Sequence, residues 1–179
     1  MRARLIAAAR ALFASQGFAA TGTPEIVERA KVTRGALYHH FADKTALLHA
    51  VVSAEAEALA AEIERLSKPS RDPQEALRAG TRAFFAAMKH PGRARLLLIE
   101  GPAVLGLAEM ERIDAAGGRA TLLAGLSAAR PEVKKAELVA LAQLLSAGFD
   151  RAALAISEGA PEAPYLAAMM RLIGAVAEG

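Results

Sequence analysis

The chain has 179 residues, is 54% hydrophobic and only 4% aromatic, and contains no cysteine. This composition excludes intrinsic disorder, disulfide bonds and thiolate metal sites, and its many alanines and leucines favour an all-α fold. The net charge of +3 is uneven, because residues 1–44 hold seven Lys/Arg against three acids, whereas residues 45–179 hold 15 against 16. A small basic N-terminal segment followed by a nearly neutral remainder is typical of a protein that binds nucleic acid.

The apolar stretches are short. The run Leu5 to Ala9 is broken by Arg10, which leaves it too short for a signal peptide. Residues 96–108 are interrupted by Glu100 and are fewer than the ~20 that span a bilayer. We therefore expect a cytoplasmic protein without a membrane-spanning segment, and the absence of cysteine suits a reducing compartment.

The first predicted helix covers residues 3–16. Its apolar residues recur at i, i+3, i+4, i+7 and i+8, which places them on one face. Gly17 follows where a left-handed residue commonly ends a helix, and Phe18 can fold back on the last turn. The face consists of Leu5, Ala8, Ala9, Leu12 and Phe13.

Two short helices follow, joined by a tight turn. Thr23-Pro24-Glu25 combines a cap residue, a proline suited to the first helical position and an acid near the positive end of the dipole. This helix ends near Ala30, and Thr33 caps the next one, whose Leu37 and Phe41 point inward at i, i+4. Two such helices supported by a preceding helix form a helix-turn-helix, which places its second helix in the DNA major groove.

The second short helix has small and polar residues on its outward side. Gly35 and Ala36 allow close approach to base edges, Arg34 can bind guanine O6 and N7, and the methyl group of Ala36 can contact a thymine methyl. Other polar groups are better placed to bind phosphates, which position a protein without reading sequence. The predicted DNA-binding residues are Thr23, Thr33, Arg34, Gly35, Ala36, Tyr38, His39, His40 and Lys44.

Simpler interpretations exist for several of these residues. Tyr38 and Phe41 can be core aromatics, and Lys44 can be an ordinary solvated lysine in the first turn of a helix. The adjacent histidines His39 and His40 suggest metal binding, but neighbouring residues of a helix point in different directions. We therefore predict no metal site and no cofactor.

The segment from Leu5 to Val52 resembles the TetR family of repressors. The resemblance rests on the A-x-x-L-F-x-x-x-G-F ending of the first helix, the T-x-x-I opening of the second, and V-T-R-G-A-L-Y-H-H-F-x-x-K-x-x-L-L. It covers about a quarter of the chain. It implies that Arg34, Gly35 and Ala36 face bases, that Thr23, Tyr38, His40 and Lys44 lie at or near phosphates, and that His39 has a variable role.

The sequence departs from the family pattern at two places. Lys31 occupies the inter-helix turn where the family commonly has glycine, and a left-handed lysine costs roughly 1 kcal/mol. The segment before the first helix is only three or four residues long, which leaves minor-groove contacts from an arm in doubt.

The rest of the chain continues as helices separated by breaks. A long helix is predicted for residues 44–66 with Asp43 as its cap, and Asp72-Pro73 begins another that ends before His90-Pro91-Gly92. Further helices are predicted for residues 93–105, with a kink or break at Gly101-Pro102, and for 107–129, 133–157 and 161–176. This gives about nine helices, which we divide into a DNA-binding domain (residues 1–45) and a ligand-binding and dimerisation domain (residues 46–179).

The last two helices are the most apolar, and we expect them to form a four-helix interface in a homodimer. A dimer would hold two recognition helices ~34 Å apart, on successive major grooves. Core helices of a monomer would show the same pattern. The predicted interface residues are Leu138, Leu141, Leu145, Gly148, Phe149, Ala152, Leu166, Met169, Met170 and Ile173.

The resemblance also implies a pocket for a small-molecule effector, whose identity the sequence does not give. Most candidate residues are expected to be plain core. If buried, Glu100 must be paired or line a cavity, and Arg95, Arg119 and Arg151 are possible partners. The candidates are Phe84, Phe85, Met88, Leu97, Glu100, Val104, Met110, Asp114, Leu122, Phe149 and Met169.

Two other functions compete with a ligand-responsive repressor. An enzyme is disfavoured, because no histidine has an acid three residues before it and neither H-E-x-x-H nor G-x-S-x-G occurs. An architectural or partner-controlled DNA-binding protein without an effector remains open, since a pocket and a core look alike in sequence. Activation instead of repression also remains open.

Overall fold

A computed structural model describes residues 1–67 and 70–178, and within these residues the protein has ten helices and no strand. The all-α prediction is confirmed. The helices are α1 (Arg2–Gln16), α2 (Thr23–Ala30), α3 (Arg34–His40), α4 (Lys44–Leu66), α5 (Pro73–Met88), α6 (residues 93–105), α7 (Leu107–Ala116), α8 (Gly118–Ala129), α9 (Lys135–Ser157) and α10 (Glu162–Glu178).

Local capping chemistry sets several of these bounds. Asp43 Oδ1 accepts a hydrogen bond from Ala46 N at 2.7 Å at the start of α4, and Asp72 Oδ1 accepts one from Gln74 N at 3.0 Å at the start of α5. Asp43 was predicted as a cap, and Asp72-Pro73 was predicted to begin a helix. Thr23, by contrast, was predicted to cap α2 but is its first residue; Gly22 is the N-cap and makes no side-chain hydrogen bond. This leaves the Thr23 hydroxyl free for another partner.

The predicted helix over residues 107–129 is two helices, α7 and α8. Gly117 separates them with φ −122° and ψ −108°, a conformation outside the helical region. The break at Gly117-Gly118 is therefore complete and adds the tenth helix.

Helix α6 does not break at Gly101-Pro102 but changes its winding before that point. Its ends Arg93–Arg95 and Gly101–Leu105 are α-helical, whereas Leu96–Glu100 forms a π-helix with i→i+5 hydrogen bonding. Pro102 lacks a backbone N–H, so a regular helix would lose a hydrogen bond at that residue. Single π-turns inside helices frequently lie at functional sites.

The chain packs as two units. Unit 1 comprises Met1–Ala56 and His90–Glu111, and unit 2 comprises Glu57–Lys89 and Arg112–Gly179. This division differs from our boundary after residue 45, because the first half of α4 and the segment containing α6 pack with the N-terminal helices.

The core of unit 1 contains the apolar faces read from the sequence. The predicted face of α1 is buried, as are Ile26 and Ala30 of α2. Leu37 is 0% exposed and Phe41 is 5% exposed, so both are core residues that fix the inner side of α3. A charged group lies in the same unit: the side chain of Glu55 is only 4% exposed and pairs with Arg10 and Arg93.

Unit 2 has a core made from α5, α8, α9 and α10. Six residues predicted for the dimer interface are 1–7% exposed and lie in this core: Leu138, Leu145, Phe149, Ala152, Met169 and Ile173. A further predicted residue, Gly148, faces Met169, whose sulfur would lie 3.6 Å from an added Cβ. Leu141, Leu166 and Met170 are half-buried. Only the other faces of α9 and α10 are open.

Helix α9 is long and apolar enough to cross a membrane by length and composition, with 33% of the qualifying window buried. This helix was predicted to form part of a dimer interface and not to span a membrane. One such helix is weak evidence for a membrane span, because a core helix of a globular protein passes the same test. One side of α9 already lies in the core of unit 2.

Lys31 has φ 52° and ψ 51°, which confirms the left-handed turn. We expect Lys31→Gly to raise the free energy of unfolding by up to about 1 kcal/mol, because glycine adopts this conformation without the Cβ clash. Thermal denaturation would measure the gain as a higher melting temperature. Lys31→Ala is the control, since it removes the charge and keeps the Cβ; a gain as large as that of Lys31→Gly would assign the effect to charge.

Candidate nucleic-acid interface

The turn between α2 and α3 is held by side-chain hydrogen bonds. Thr33 Oγ1 accepts from Ala36 N at 3.2 Å and so caps α3, as predicted. From α1, Arg4 Nη2 donates to Ala30 O at 2.6 Å and to Lys31 O at 2.9 Å. Arg4 thereby satisfies carbonyl oxygens at the end of α2 and supports the left-handed residue. This role of Arg4 was not predicted, since nothing in the local sequence pattern links residues 4 and 31.

A polar cluster joins the start of α2 to the exposed side of α3. The Thr23 hydroxyl and the Arg34 side chain lie beside the hydroxyl of Tyr38, where their hydrogen-bonding groups favour the ionised phenol and lower the pKa of Tyr38 from its ordinary value. The Arg34 guanidinium carbon lies 5.6 Å from the centre of the Tyr38 ring. The cluster therefore presents two hydroxyls and a guanidinium together, a combination suited to phosphate oxygens and base edges.

The other candidates lie around this cluster. Tyr38 is 43% exposed, so it is not a core aromatic. The remaining exposed candidates are Thr33, Arg34, Gly35 and His39, and the half-buried ones are Thr23, Ala36, His40 and Lys44. The rings of His39 and His40 meet edge to face at 5.2 Å, and no group of three potential metal ligands occurs among the residues that the structure describes.

Lys44 has partners within the protein. Its Nζ donates to Phe18 O at 2.8 Å and to Thr21 O at 2.9 Å, and it lies 4.2 Å from the centre of the Phe18 ring. Lys44 thus ties the start of α4 to the loop of residues 17–22, which leads directly into α2. The sequence interpretation of Lys44 as a phosphate ligand did not include this role.

Comparisons with known proteins agree with this geometry. A family model described as bacterial regulatory proteins of the tetR family matches residues 5–51, and a model described as Tetracyclin repressor-like, C-terminal domain, matches residues 74–179. The chain belongs to the TetR family.

Individual relatives give the same result. The HTH-type transcriptional activator FasR of Mycolicibacterium smegmatis is 32% identical over 99 residues, which are 55% of this chain and 45% of FasR. The A-factor receptor protein of Streptomyces griseus is 35% identical over 100 residues, 54% of this chain and 34% of that protein. The chain therefore spans less than half the length of these two relatives.

A solved TetR-family regulator from Pectobacterium atrosepticum is similar over almost the whole chain. It is 30% identical, with a TM-score of 0.74, and the match covers 98% of this chain and 91% of that one. The protein is accordingly a member of a family of DNA-binding transcriptional regulators, with an N-terminal helix-turn-helix and a helical C-terminal domain.

The effector candidates of this TetR-family protein fall in both units. In unit 2, the rings of Phe84, Phe85 and Phe149 form an aromatic cluster with centres 4.9–5.9 Å apart. Phe85, Met88, Phe149 and Met169 are buried, and Phe84 and Leu122 are half-buried. In unit 1, Leu97 is buried, whereas Glu100, Val104 and Met110 are half-buried.

Glu100 is paired within unit 1. Its Oε1 accepts from Arg95 Nε at 3.0 Å, and its Oε2 accepts from Phe18 N at 3.0 Å. Arg95 was one of the three partners expected from the sequence. The amide of Phe18 was not expected, because it lies 82 residues away in the chain.

Two aspartates in unit 2 share a polar surface. Asp114 Oδ2 accepts from Ser146 Oγ at 3.1 Å and lies 3.6 Å from Arg119 Nε. Asp150 follows Ser146 by one helical turn on α9; desolvation, and to a smaller extent the charge of Asp114, raise the pKa of Asp150 to about 7. The carboxyl group of Asp150 nevertheless has an exposed surface, so water moderates this effect. Asp114 was among the predicted effector residues and Asp150 was not, because an aspartate on a long helix is usually solvated.

Proposed function

We propose that this protein is a ligand-responsive repressor that binds a palindromic operator as a homodimer and is released from it by a small, largely apolar molecule. The observation that carries the proposal is the exposed cluster of Thr23, Arg34 and Tyr38 on the helix-turn-helix. In this arrangement Arg34 reads a base edge, and Thr23 and Tyr38 bind phosphate oxygens.

Selection of bound sequences from random duplex DNA tests the DNA-binding part. We expect two inverted half-sites, one helical turn apart, and an affinity that falls steeply between two salt concentrations because cations at the interface displace counterions. Absence of enrichment, together with no binding to any duplex in dilute buffer, would reject the proposal.

The occupant proposed for the open faces of α9 and α10 is a second copy of this chain. Leu144 is 72% exposed and Leu172 is 51% exposed, although both lie on the most apolar helices of unit 2. Small exposed residues lie three or four positions from them on the same faces and permit close helix approach: Ala140, Ala147 and Ala175. An isologous contact between two such faces would bury both leucines.

We expect Leu144→Glu to weaken dimerisation by about 100-fold or more, because the twofold contact would bury two uncompensated carboxylates. Sedimentation velocity over a range of protein concentrations measures the change. Leu107→Glu is the matched control, since Leu107 is 74% exposed but lies on α7. Equal behaviour of the two variants would show that general surface hydrophobicity, and not this face, drives association.

The effector part of the proposal draws support from the aromatic cluster of unit 2, which offers apolar contacts, and from Asp114, which offers a polar one. The A-factor receptor protein shows by its name that a similar protein recognises another molecule. Thermal denaturation in the presence of a library of small hydrophobic compounds tests it: a true effector raises the melting temperature and also releases the selected duplex. If no stabilising compound releases DNA, the alternative without an effector is favoured.

Repression is the simpler mode for such a dimer, because occupancy of DNA by itself blocks other proteins. FasR is an activator, so the direction of regulation depends on where the operator lies. A reporter gene with the selected operator inside its promoter should be silenced by the protein. Increased expression from that promoter would contradict repression. The proposed compartment is the cytoplasm, where DNA is accessible.

A further inference from the structure

We propose that Glu100 is a positioning residue for the DNA-binding surface: through its bond to Phe18 it holds the loop of residues 17–22 so that Thr23 meets Tyr38. This inference rests on the proposed DNA contacts of Thr23 and Tyr38. It assigns to Glu100 a role in affinity although its carboxylate is directed at the protein's own backbone.

The loop 17–22 is held from two helices. Glu100 of α6 accepts a hydrogen bond from Phe18 N, and Lys44 of α4 donates to Phe18 O. The peptide groups on both sides of Phe18 are thereby fixed. Within the loop, the hydroxyl of Thr21, which is 1% exposed, donates to Gly17 O at 2.7 Å. The next residues, Gly22 and Thr23, begin α2, so the position of the loop sets the position of the Thr23 hydroxyl.

The approach of α6 to this loop is close. Gly17 has φ 88°, and a Cβ built on it would lie 2.6 Å from both Arg95 Nη2 and Glu100 Oε1. Arg95 also donates to Ser15 O at 2.9 Å, at the end of α1. The glycine is therefore required both by its left-handed conformation and by the space that the Arg95–Glu100 pair occupies.

The π-helical segment explains how Arg95 and Glu100 meet. Residues five apart on a regular α-helix lie roughly 140° apart around the axis, whereas neighbours on its surface are three or four apart. The wider π-helix over Leu96–Glu100 bonds i to i+5 and so reduces the angle around the axis between residues five apart. The change of winding thus creates the pair that holds the loop.

A double-mutant cycle on DNA binding tests the proposal, with the selected duplex as the probe and all measurements made well below each variant's melting temperature. We expect Glu100→Ala to weaken binding by about 10-fold or more in the wild-type background. In the Tyr38→Phe background, where the hydroxyl that Thr23 contacts is already absent, the same change should weaken binding by less than about 3-fold. Glu100→Gln keeps an oxygen acceptor for Phe18 N and should retain most of the affinity.

Two further variants keep the result interpretable. Arg95→Ala breaks the same ion pair, and because the Arg95 side chain is 38% exposed this change is less disruptive to the fold than Glu100→Ala. Its loss of DNA affinity should also be smaller in the Tyr38→Phe background than in wild type. Glu109→Ala is the matched control, because Glu109 is also on unit 1 and pairs with His49 at 2.8 Å. It should leave DNA affinity unchanged in both backgrounds.

Each outcome decides a separate point. Equal losses for Glu100→Ala in the two backgrounds, or a loss for Glu100→Gln as large as that for Glu100→Ala, would overturn the positioning role and leave the proposed function intact. If wild-type protein binds no duplex, or if Tyr38→Phe binds as tightly as wild type, the proposed contacts fail and the positioning role fails with them.

Discussion

Replacing Arg34 with alanine should cost about 1–3 kcal/mol in binding to the selected operator and should relax the preference at one base pair in each half-site. Arg34 is the first residue of α3 and is exposed, so its guanidinium can reach the floor of the major groove while the helix end approaches the DNA. Repeating the sequence selection with the variant, and measuring its affinity for the wild-type operator, checks both parts. An unchanged selected motif would show that Arg34 does not read a base.

The structure adds a complication that the sequence did not reveal. The Arg34 side chain also lies beside the hydroxyl of Tyr38 and stacks on its ring, so its removal can disturb a phosphate-binding group. Arg34→Lys separates the two effects, since lysine keeps the positive charge but lacks the planar fork that binds guanine bidentately. We expect Arg34→Lys to relax the motif as Arg34→Ala does and to keep the salt dependence of the wild type.

Tyr38→Phe provides the contrast. Loss of one hydroxyl that contacts phosphate should weaken binding to all sequences by a similar factor and leave the selected motif unchanged. A changed motif in this variant would show that Tyr38 takes part in base recognition and not only in phosphate binding.

The helices were predictable from the sequence because their signals are local. Asp43 and Asp72 begin helices by capping amides two or three residues away, and the spacing of Leu37 and Phe41 places both residues under α3. The left-handed conformation of Lys31 was expected on other grounds, because the family commonly has glycine at this position of the turn.

Features that depend on distant contacts were not predictable. An exposed face and a core face of α9 are both apolar, so the pattern alone could not tell Leu144 from Leu145, and the predicted dimer residues fell mostly in the core. The hydrogen bond between Glu100 and Phe18 depends on how α6 packs against α1. The π-helical segment that contains Glu100 has the sequence LLLIE, which gives no clear signal for this winding.

Replacing Glu55 with glutamine should destabilise the protein by about 3 kcal/mol or more, because it leaves two arginines beside a group that no longer carries charge. Glu55 Oε2 accepts from Arg10 Nε at 2.5 Å, and Oε1 accepts from Arg93 Nε at 2.7 Å. The Arg93 side chain is 3% exposed, so water cannot take over the role of the carboxylate. Since the three residues belong to α1, α4 and α6, the loss should appear as a lower free energy of unfolding in urea.

The same network predicts a pH dependence. Burial raises the pKa of Glu55, but the hydrogen bonds and charges of Arg10 and Arg93 outweigh burial and hold it below its ordinary value of 4.5. A carboxyl group with a lowered pKa in the folded state stabilises the fold at a pH above its ordinary value, and this contribution is lost as the pH falls through the folded-state pKa. The difference in stability between wild type and Glu55→Gln should therefore be full at neutral pH and shrink on acidification below about pH 4.5.

Glu75→Gln is the matched control for this experiment. Glu75 also pairs with an arginine at 2.5 Å, but its side chain and that of Arg82 are about half exposed. Exposed pairs contribute only about 0–1 kcal/mol, because water solvates both ions once the pair is broken. A loss for Glu55→Gln no larger than that for Glu75→Gln, or a difference from wild type that stays constant down to acid pH, would show that the buried charges do not hold α1, α4 and α6 together.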